Sequence, residues 1–288
     1  SYLWKNTVSD TPDNPNTRRF TALVLAADRT ANDPITQHTG AACKAFAPVA
    51  GIPMLIRVLD ALAACDLVAS TILCGPPESL HSHCPALVQR IKSGQVTWLP
   101  NLDSPSRSAE SGFNHIQHDA PILLTTADHA LLTPAMLQHF LRASLAADSD
   151  ATVGLVRYED IVAAFPGSKR TITRLRDGGF CGCNLFTFNP RGRKLVRFWQ
   201  QAEDLRKHPW QLIAQVLGPR IVLSYLFGLL TLEQALRKVS EKSDVNIQAV
   251  MLPDPQAGVD VDKVEDLLLA ESILASPSLS LRNDRLSV

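Results

Sequence analysis

Apolar runs of strand length alternate with amphipathic segments along the first half of the chain. Five such runs, at 20–27, 68–75, 96–101, 120–127 and 151–158, are each bounded by polar or turn-forming residues. Continuous apolar runs of this length are typical of strands that are buried on both faces of a parallel sheet. The segments between them carry helical periodicity, and this alternation predicts βαβ units with right-handed crossovers. The pattern therefore predicts an α/β fold with a mainly parallel sheet.

Composition divides the chain into a leader, a main domain, an insertion and a tail. Residues 1–18 are polar and turn-rich, which indicates a flexible leader. We assign 19–190 and 241–275 to the main domain. Residues 191–240 are patterned as helices and are interpreted as a helical insertion or subdomain, and 276–288 as a frayed tail.

Charge and cysteine content exclude several classes of protein. The 28 basic and 28 acidic residues balance, which argues against a nucleic-acid partner. No apolar run approaches the ~20 residues of a membrane span, and no signal peptide is visible. The six cysteines show no C-x-x-C pair, so we expect reduced thiols and a cytoplasmic protein.

The stretch PILLTTADHALL places a carboxylate, Asp128, at the end of a buried apolar run. A helix cap would explain it, but Thr133 stands directly before Pro134 and is the better cap for the next helix. Asp128 is therefore expected in a strand–helix loop, at the carboxyl edge of the sheet where α/β folds bind ligands. His129 shows no metal-ligand spacing and is interpreted as a supporting or surface group.

The loop after the first strand is long for such a connection and carries Arg29 and Lys44. Both side chains could contact the phosphates of a nucleotide, and the alternative is a solvated loop.

Three segments in order carry a family resemblance. ALVLAADR…KAFAPVAGIPMLIRVLDAL, PILLTTADHALLTPAML and GVDVDKVEDLLLAE resemble the motifs of nucleotidyltransferases with a GT-A-like fold, including the molybdopterin guanylyltransferases. The resemblance covers roughly 20–160 and 245–272. It implies a Rossmann-like, three-layer α/β/α fold.

The resemblance also implies a set of site residues. Mg²⁺, which prefers carboxylate and phosphate oxygens, would be held by Asp128 with Asp260 or Asp262. The residues implied in catalysis are Lys44, Asp128 and Asp260. The residues implied in nucleotide binding are Ala26, Ala27, Arg29, Lys44, Ser106, Ser108 and Asp128. For the two serines, helix capping is an equal alternative.

An acceptor site is expected near KRTITRLRDGG and GCNLF. Arg170, Arg174 and Arg176 share parity on an extended segment, and arginine binds phosphate bidentately. Asn184 is expected to face the same site. The alternative for the three arginines is a solvent-exposed edge strand whose charges prevent pairing with another chain.

One departure from the family pattern lies in the first loop. Asp28 stands where the family has a glycine, and no glycine follows until Gly40. The loss leaves a rearranged loop, a different nucleotide or an inactive descendant as alternatives.

The resemblance implies a Mg²⁺-dependent nucleotidyltransferase with an NTP, GTP or CTP foremost, and a small phosphorylated acceptor such as a sugar or polyol phosphate. The alternatives are guanylyl or cytidylyl transfer to a cofactor precursor such as molybdopterin, and a non-catalytic nucleotide-binding protein. The aromatic residues of 191–240 favour a helical subdomain with an aromatic core over a membrane-surface helix.

Overall fold

A computed structural model describes residues 19–27, 32–205, 215 and 218–276. Ten strands lie within this part of the chain. Their bounds are β1 Phe20–Leu25, β2 Pro48–Val49, β3 Ile52–Pro53, β4 Val68–Cys74, β5 Val96–Leu99, β6 Ile122–Thr126, β7 Ala151–Arg157, β8 Thr173–Leu175, β9 Gly178–Phe188 and β10 Ile247–Met251.

Eight of these strands form one sheet in the order β10-β7-β9-β6-β1-β4-β5, with β8 paired to β9 outside this path. β1 pairs in parallel with β4 and β6, β4 with β5, and β7 with β10. β9 runs antiparallel to β6, β7 and β8. β2 and β3 form a separate antiparallel pair. The predicted, mainly parallel sheet is confirmed.

Ten α-helices connect or cover the strands in the described residues. Their bounds are α1 Pro34–Thr39, α2 Met54–Ala63, α3 Pro85–Lys92, α4 Pro105–Asn114, α5 Pro134–Ala147, α6 Tyr158–Ala164, α7 Leu195–Leu205, α8 Pro219–Leu226, α9 Leu232–Ser243 and α10 Val264–Ala275.

Two apolar clusters lie on opposite faces of the sheet, which gives the three layers that the resemblance implied. The larger cluster contains the buried faces of α2, α5 and α10. The smaller cluster packs α4 and α7 against the centre of the sheet through residues such as Phe113, Val196 and Trp199. Loss of apolar surface to water on both faces is the main stabilising contribution to such a fold.

Local signals set several element boundaries. Thr133 caps α5 as predicted, since its hydroxyl accepts a 3.2 Å hydrogen bond from the backbone N–H of Met136. α3 begins at Pro85, since proline is favoured at the first position of a helix. The prediction of one long loop after β1 is wrong in part, because this segment contains α1 and a 3₁₀ helix at Lys44–Phe46. Asp33 caps α1 with a 2.9 Å bond from the N–H of Ile35.

Two helices from the described part of 191–240 pack onto the main domain. α7 lies beside α4, and α9 contacts β10. The division of the chain into domain and insertion therefore stays a prediction. Trp199 joins the buried cluster, but Tyr225 and Phe227 are 48% and 74% exposed, contrary to the interpretation of an aromatic core there. Trp210 lies outside the described residues, as do the predicted leader and nearly all of the tail. Among the residues described, no helix combines the length and apolarity needed to cross a bilayer.

Candidate active site

A cavity of about 620 Å³ opens at the carboxyl ends of β1, β5 and β6. Its size falls within the usual range for small-molecule sites. Asp128 and Lys44 lie at this edge, where the sequence predicted a ligand site. The strand ends are joined there by backbone bonds, such as the 2.9 Å bond from the N–H of Ala127 to the carbonyl of Leu25.

Lys44 holds two carboxylates that are far apart in the sequence. Its ammonium lies 3.3 Å from Oδ2 of Asp128 and 3.1 Å from Oδ1 of Asp262. The other oxygen of Asp128, Oδ1, accepts a 2.6 Å bond from the hydroxyl of Thr126. The Lys44 side chain is only 8% exposed, so little water screens its two ion pairs. Three of the predicted site residues are thus brought together by one buried cation.

Asp260 is held from the other side by Arg170. A guanidinium nitrogen, Nη1, lies 3.1 Å from Oδ1 of Asp260 and 3.0 Å from its backbone carbonyl, and the other, Nη2, pairs with Asp266. Asp266 in turn accepts bonds from the backbone N–H groups of Asp262 and Lys263 at 3.0 and 2.9 Å. Arg170 and Asp266 therefore fix the turn that presents Asp260 and Asp262.

The segment GVDVDKVEDLLLAE, the last of the three family motifs, lies directly beside Asp128, and we call it the closing motif. The N–H of Val261 donates a 3.0 Å bond to the carbonyl of Asp128. Residues 259–263 form no strand, but their side chains alternate in burial, since Val259 and Val261 are fully buried. The two aspartates between and after them point the other way, to Arg170 and Lys44.

The clustered carboxylates perturb their own ionisation. Burial raises the pKa of Asp260, and the negative charge of Asp128 raises it further, while Arg170 and Lys44 act in the opposite direction. Burial lowers the pKa of His129, which is 1% exposed and so is not the surface group that was one interpretation. The charge of Asp128 and backbone contacts with Cys183 and Ala257 act in the opposite direction and raise the pKa of His129.

Asn184 lines the cavity at an irregularity in β9. The register between β7 and β9 shifts between Val153 and Leu155, opposite this residue. Asn184 has φ of 51°, a left-handed conformation that is uncommon for residues other than glycine. Bulges and strained backbone of this kind recur at functional sites, where they redirect a side chain. Its predicted place beside the site is consistent with this position, and its role in acceptor binding stays a prediction.

The two predicted serines lie on α4 and have different partners. The backbone N–H of Ser106 donates a 3.0 Å bond to Glu203 of α7, and its hydroxyl pairs with the same carboxylate. The hydroxyl of Ser108 accepts a 2.9 Å bond from the N–H of Leu102, and Ser108 lines the cavity. Glu203 therefore stabilises the N-terminus of α4, where a negative charge interacts favourably with the helix dipole.

The two predicted alanines, Ala26 and Ala27, line the cavity at the end of β1. The side-chain amide of Asn101 donates a 2.5 Å bond to the carbonyl of Ala26. Gly75 makes this approach possible, because a Cβ there would lie 2.1 Å from Asn101 and 2.7 Å from the Ala26 carbonyl. Arg29 lies outside the described residues.

The remaining predicted arginines have surface positions in this structure. The guanidinium of Arg174 lies over the ring of Tyr158, 5.6 Å from its centroid. The backbone N–H of Arg176 bonds to the carbonyl of Leu230, and both arginines are exposed. Only Arg170 of the three lies beside the carboxylates. The strand β8 spans Thr173–Leu175, so it contains Arg174 but neither Arg170 nor Arg176. Acceptor binding by these arginines stays a prediction.

A family model decides what the site belongs to. The model of the MobA-like NTP transferase domain matches residues 22–240, which is most of the chain. The chain belongs to this family. The matched residues include Lys44 and Asp128, whereas Asp260 and Asp262 lie beyond residue 240. No curated protein sequence matches the chain significantly.

Solved structures support the fold of this MobA-like domain. A hypothetical transferase from Thermus thermophilus is 31% identical, with a TM-score of 0.72 over 86% of this chain and 99% of that one. A CMP:2-keto-3-deoxy-manno-octonic acid synthetase complexed with CTP is similar at 12% identity and a TM-score of 0.55, covering 89% and 98% of the two chains. A 4-diphosphocytidyl-2C-methyl-D-erythritol synthase from Anaerococcus prevotii gives 11% identity and 0.54, covering 90% and 97%. The last two share the fold.

The donor set of this MobA-like domain fits Mg²⁺ completed by phosphate oxygens. Within the described ranges, no three His, Cys, Asp or Glu side chains converge in a metal-binding arrangement. Mg²⁺ is usually bound by one or two carboxylates together with substrate phosphates and water, so three protein ligands are not required. Asp128 and Asp260 are close enough for the charge of one to raise the pKa of the other. A dication between them would relieve that repulsion.

Three supporting residues were not predicted from the sequence. Asp266 carries a recognisable signal, because an acidic residue at the third position of a helix often receives the preceding backbone N–H groups. Thr126 lies two residues before Asp128 and could have been chosen as its partner. Glu203 gives no signal, since it meets Ser106 only through the packing of α7 on α4.

Proposed function

We propose that this protein is a Mg²⁺-dependent nucleotidyltransferase that transfers a nucleoside monophosphate from an NTP, CTP or GTP foremost, to a small phosphorylated acceptor. The observation that supports it is the cluster of Lys44, Asp128, Asp260 and Asp262 beside a ligand-sized cavity. The family supplies the reaction class. The cluster supplies a cation for phosphate and carboxylates for a metal.

The proposed reaction balances without any further reactant. An oxygen of the acceptor phosphate forms a bond to the α-phosphorus of the NTP. The bond from that phosphorus to the bridging oxygen of the β-phosphate breaks, and pyrophosphate leaves with the electron pair. Both reacting groups are anionic, so catalysis depends on holding them in line and on neutralising their charge.

The residues of the cluster take separate roles in this proposal. Asp128 and Asp260 would hold the metal, and Mg²⁺ would supply positive charge to the phosphates. Lys44 would donate to phosphate oxygens once a metal takes over the charge of the carboxylates that it now holds. Arg170 acts as a positioning residue, because its Nη1 donates to both Oδ1 and the backbone carbonyl of Asp260 while its Nη2 is fixed by Asp266.

The test is pyrophosphate release with each of the four NTPs and a panel of sugar phosphates, polyol phosphates and cofactor precursors. We expect release that requires Mg²⁺, one NTP and one class of acceptor together. Asp128→Asn should lower the rate by at least about 100-fold, as loss of one charge-stabilising group commonly does. Asp60→Asn is the matched control, since Asp60 pairs with Arg90 at the surface at 2.6 Å. Equal rates for the two variants would contradict the assignment of Asp128.

A further inference from the structure

The cavity continues far beyond the predicted catalytic residues. Its lining runs from Asp128 back to Phe188, which pairs with Ile122 at the start of β6. Thr126 lies four residues after Ile122, so the cavity follows the sheet for about 13 Å at ~3.3 Å per residue. This inner part lies between the sheet and α7. We call it the apolar chamber, and it is lined by Leu124, Phe186, Phe188, Leu195, Val196 and Trp199.

Polar and apolar lining residues are separated within the cavity. The charged residues among the described lining are Lys44, Asp103 and Asp128, and all three lie at the carboxyl edge of the sheet. In the apolar chamber, the indole N–H of Trp199 is the one polar side-chain group of the six lining residues. A phosphate or a sugar ring there would lose its water without gaining partners, which costs several kcal/mol per polar group.

A nucleobase does not suit the apolar chamber either. Every base carries several donors and acceptors on its edges, and a buried polar group without a partner is destabilising. Polar groups suited to a base lie at the edge, where Asn101, Ser108 and the backbone of Ala26 and Ala27 line the cavity. The nucleotide is therefore accommodated without the apolar chamber.

The helix that covers the apolar chamber is fixed at both ends. Arg193, just before α7, donates to the carbonyls of Gln117 and Ala120 beyond the C-terminus of α4. Glu203, near the other end of α7, binds Ser106 at the N-terminus of α4. Each charge lies at the end of α4 whose dipole it complements. The cover is thus held in place by specific contacts, and the apolar chamber is preformed.

We propose that the acceptor carries an apolar group, an alkyl chain or an aromatic ring, that binds in the apolar chamber while its phosphate remains at the edge beside Asp128 and Asn184. This inference rests on the proposed function, because it names the acceptor class of the same site. Apolar groups gain most from such a site, since burying each methylene contributes about 0.8 kcal/mol.

The test uses monoalkyl phosphates from methyl to octyl as probes, with binding to the full chain measured by calorimetry. We expect affinity to rise roughly three- to fourfold per methylene until the apolar chamber is full. In Trp199→Ala the gain in affinity from methyl to octyl phosphate should fall at least tenfold, while the affinity for methyl phosphate should not change. Trp98→Ala is the matched control, because Trp98 lies outside the cavity and donates to the carbonyl of Pro76.

A second variant keeps the test valid if Trp199→Ala does not fold. Leu195→Phe narrows the apolar chamber and should lower the chain length at which affinity stops rising. NTP binding is measured on the same samples by thermal shift with Mg²⁺. If an NTP binds and the alkyl series is flat, the apolar chamber assignment is overturned and nucleotidyl transfer stands. If no NTP binds, the proposed function fails, and so does the proposal that an acceptor occupies the apolar chamber.

Discussion

Lys44→Met tests whether one buried cation holds the site together. The methionine keeps the apolar stem and removes the ammonium that lies 3.3 Å from Asp128 and 3.1 Å from Asp262. A charged hydrogen bond contributes about 1.5–3 kcal/mol when buried, and an exposed ion pair about 0.2–1 kcal/mol. The two carboxylate side chains are 23% and 48% exposed, so the pairs lie between these limits. We expect a loss of about 2 kcal/mol in the free energy of unfolding at pH 7.

The loss should depend on pH in a defined direction. Lys44 lowers the pKa of Asp260, so its removal raises that pKa further above the unfolded value. A carboxyl with a raised folded pKa contributes stability that is present below its unfolded pKa and is lost as pH rises through the folded pKa. The loss in the free energy of unfolding caused by Lys44→Met should therefore be smaller at pH 5 than at pH 7. Mg²⁺ should reduce it at pH 7 in the same way, by neutralising the carboxylates.

The assay is urea unfolding followed by circular dichroism at both pH values. Lys238→Met is the control, since Lys238 on α9 pairs with Glu241 at 3.6 Å on the surface, and it should change stability by less than about 0.5 kcal/mol. A Lys44→Met protein as stable as this control would refute the reasoning. A deficit that is the same at pH 5 and pH 7 would refute the role of the clustered carboxylates.

Three further predictions concern stability, and urea unfolding measures each. Arg170→Met should cost about 3–5 kcal/mol because it leaves the carboxylate of Asp266, which is only 10% exposed, without its buried partner. A cost under about 1 kcal/mol would show that Arg170 does not anchor the closing motif. The folded-state pKa of His129 is lowered, so the stability that this residue contributes is present above pH ~6.5 and is lost as pH falls. The difference in free energy of unfolding between the wild type and His129→Gln should therefore shrink by up to ~1.4 kcal/mol per pH unit below 6.5. Profiles of stability against pH that are parallel for the two proteins would contradict this. In Gly112→Ala the new Cβ would lie 2.6 Å from both methyl carbons of Leu23, which should lower the free energy of unfolding by about 1–3 kcal/mol. In the control Gly182→Ala, the new Cβ meets no atom within 4 Å, so the stability should hardly change. Equal effects of the two variants would refute the packing argument.

The sequence predicted the sheet because its signals are local. Apolar runs and turn residues determine β1, β4, β5, β6 and β7, and each of the five predicted runs overlaps the observed strand. Two short elements, α1 and α6, were not predicted, because each has only six or seven residues and little periodicity.

The site was predictable only where its residues lie in ordered motifs. The motifs placed Asp128, Asp260 and Asp262 near Lys44 before any contact was known. Arg170 was expected to face an acceptor, but its guanidinium contacts Asp260. The expected alignment with Arg174 required one extended strand through both residues, and β8 begins only at Thr173.

Long-range packing explains what the sequence did not predict. The contact between Ser106 and Glu203 spans 97 residues, and the apolar chamber exists only because α7 returns to cover the sheet beside α4. Neither arrangement leaves a periodic or compositional signal in the chain.

Calorimetric titration of each NTP with and without Mg²⁺ tests the central claim most directly, because it needs no acceptor. The account predicts that one NTP, CTP or GTP foremost, binds in a Mg²⁺-dependent manner. Asp128→Asn should weaken that binding at least tenfold, while Asp60→Asn should not change it. Absence of binding by all four NTPs, or binding that Asp128→Asn leaves unchanged, would contradict the assignment of this site to nucleotidyl transfer.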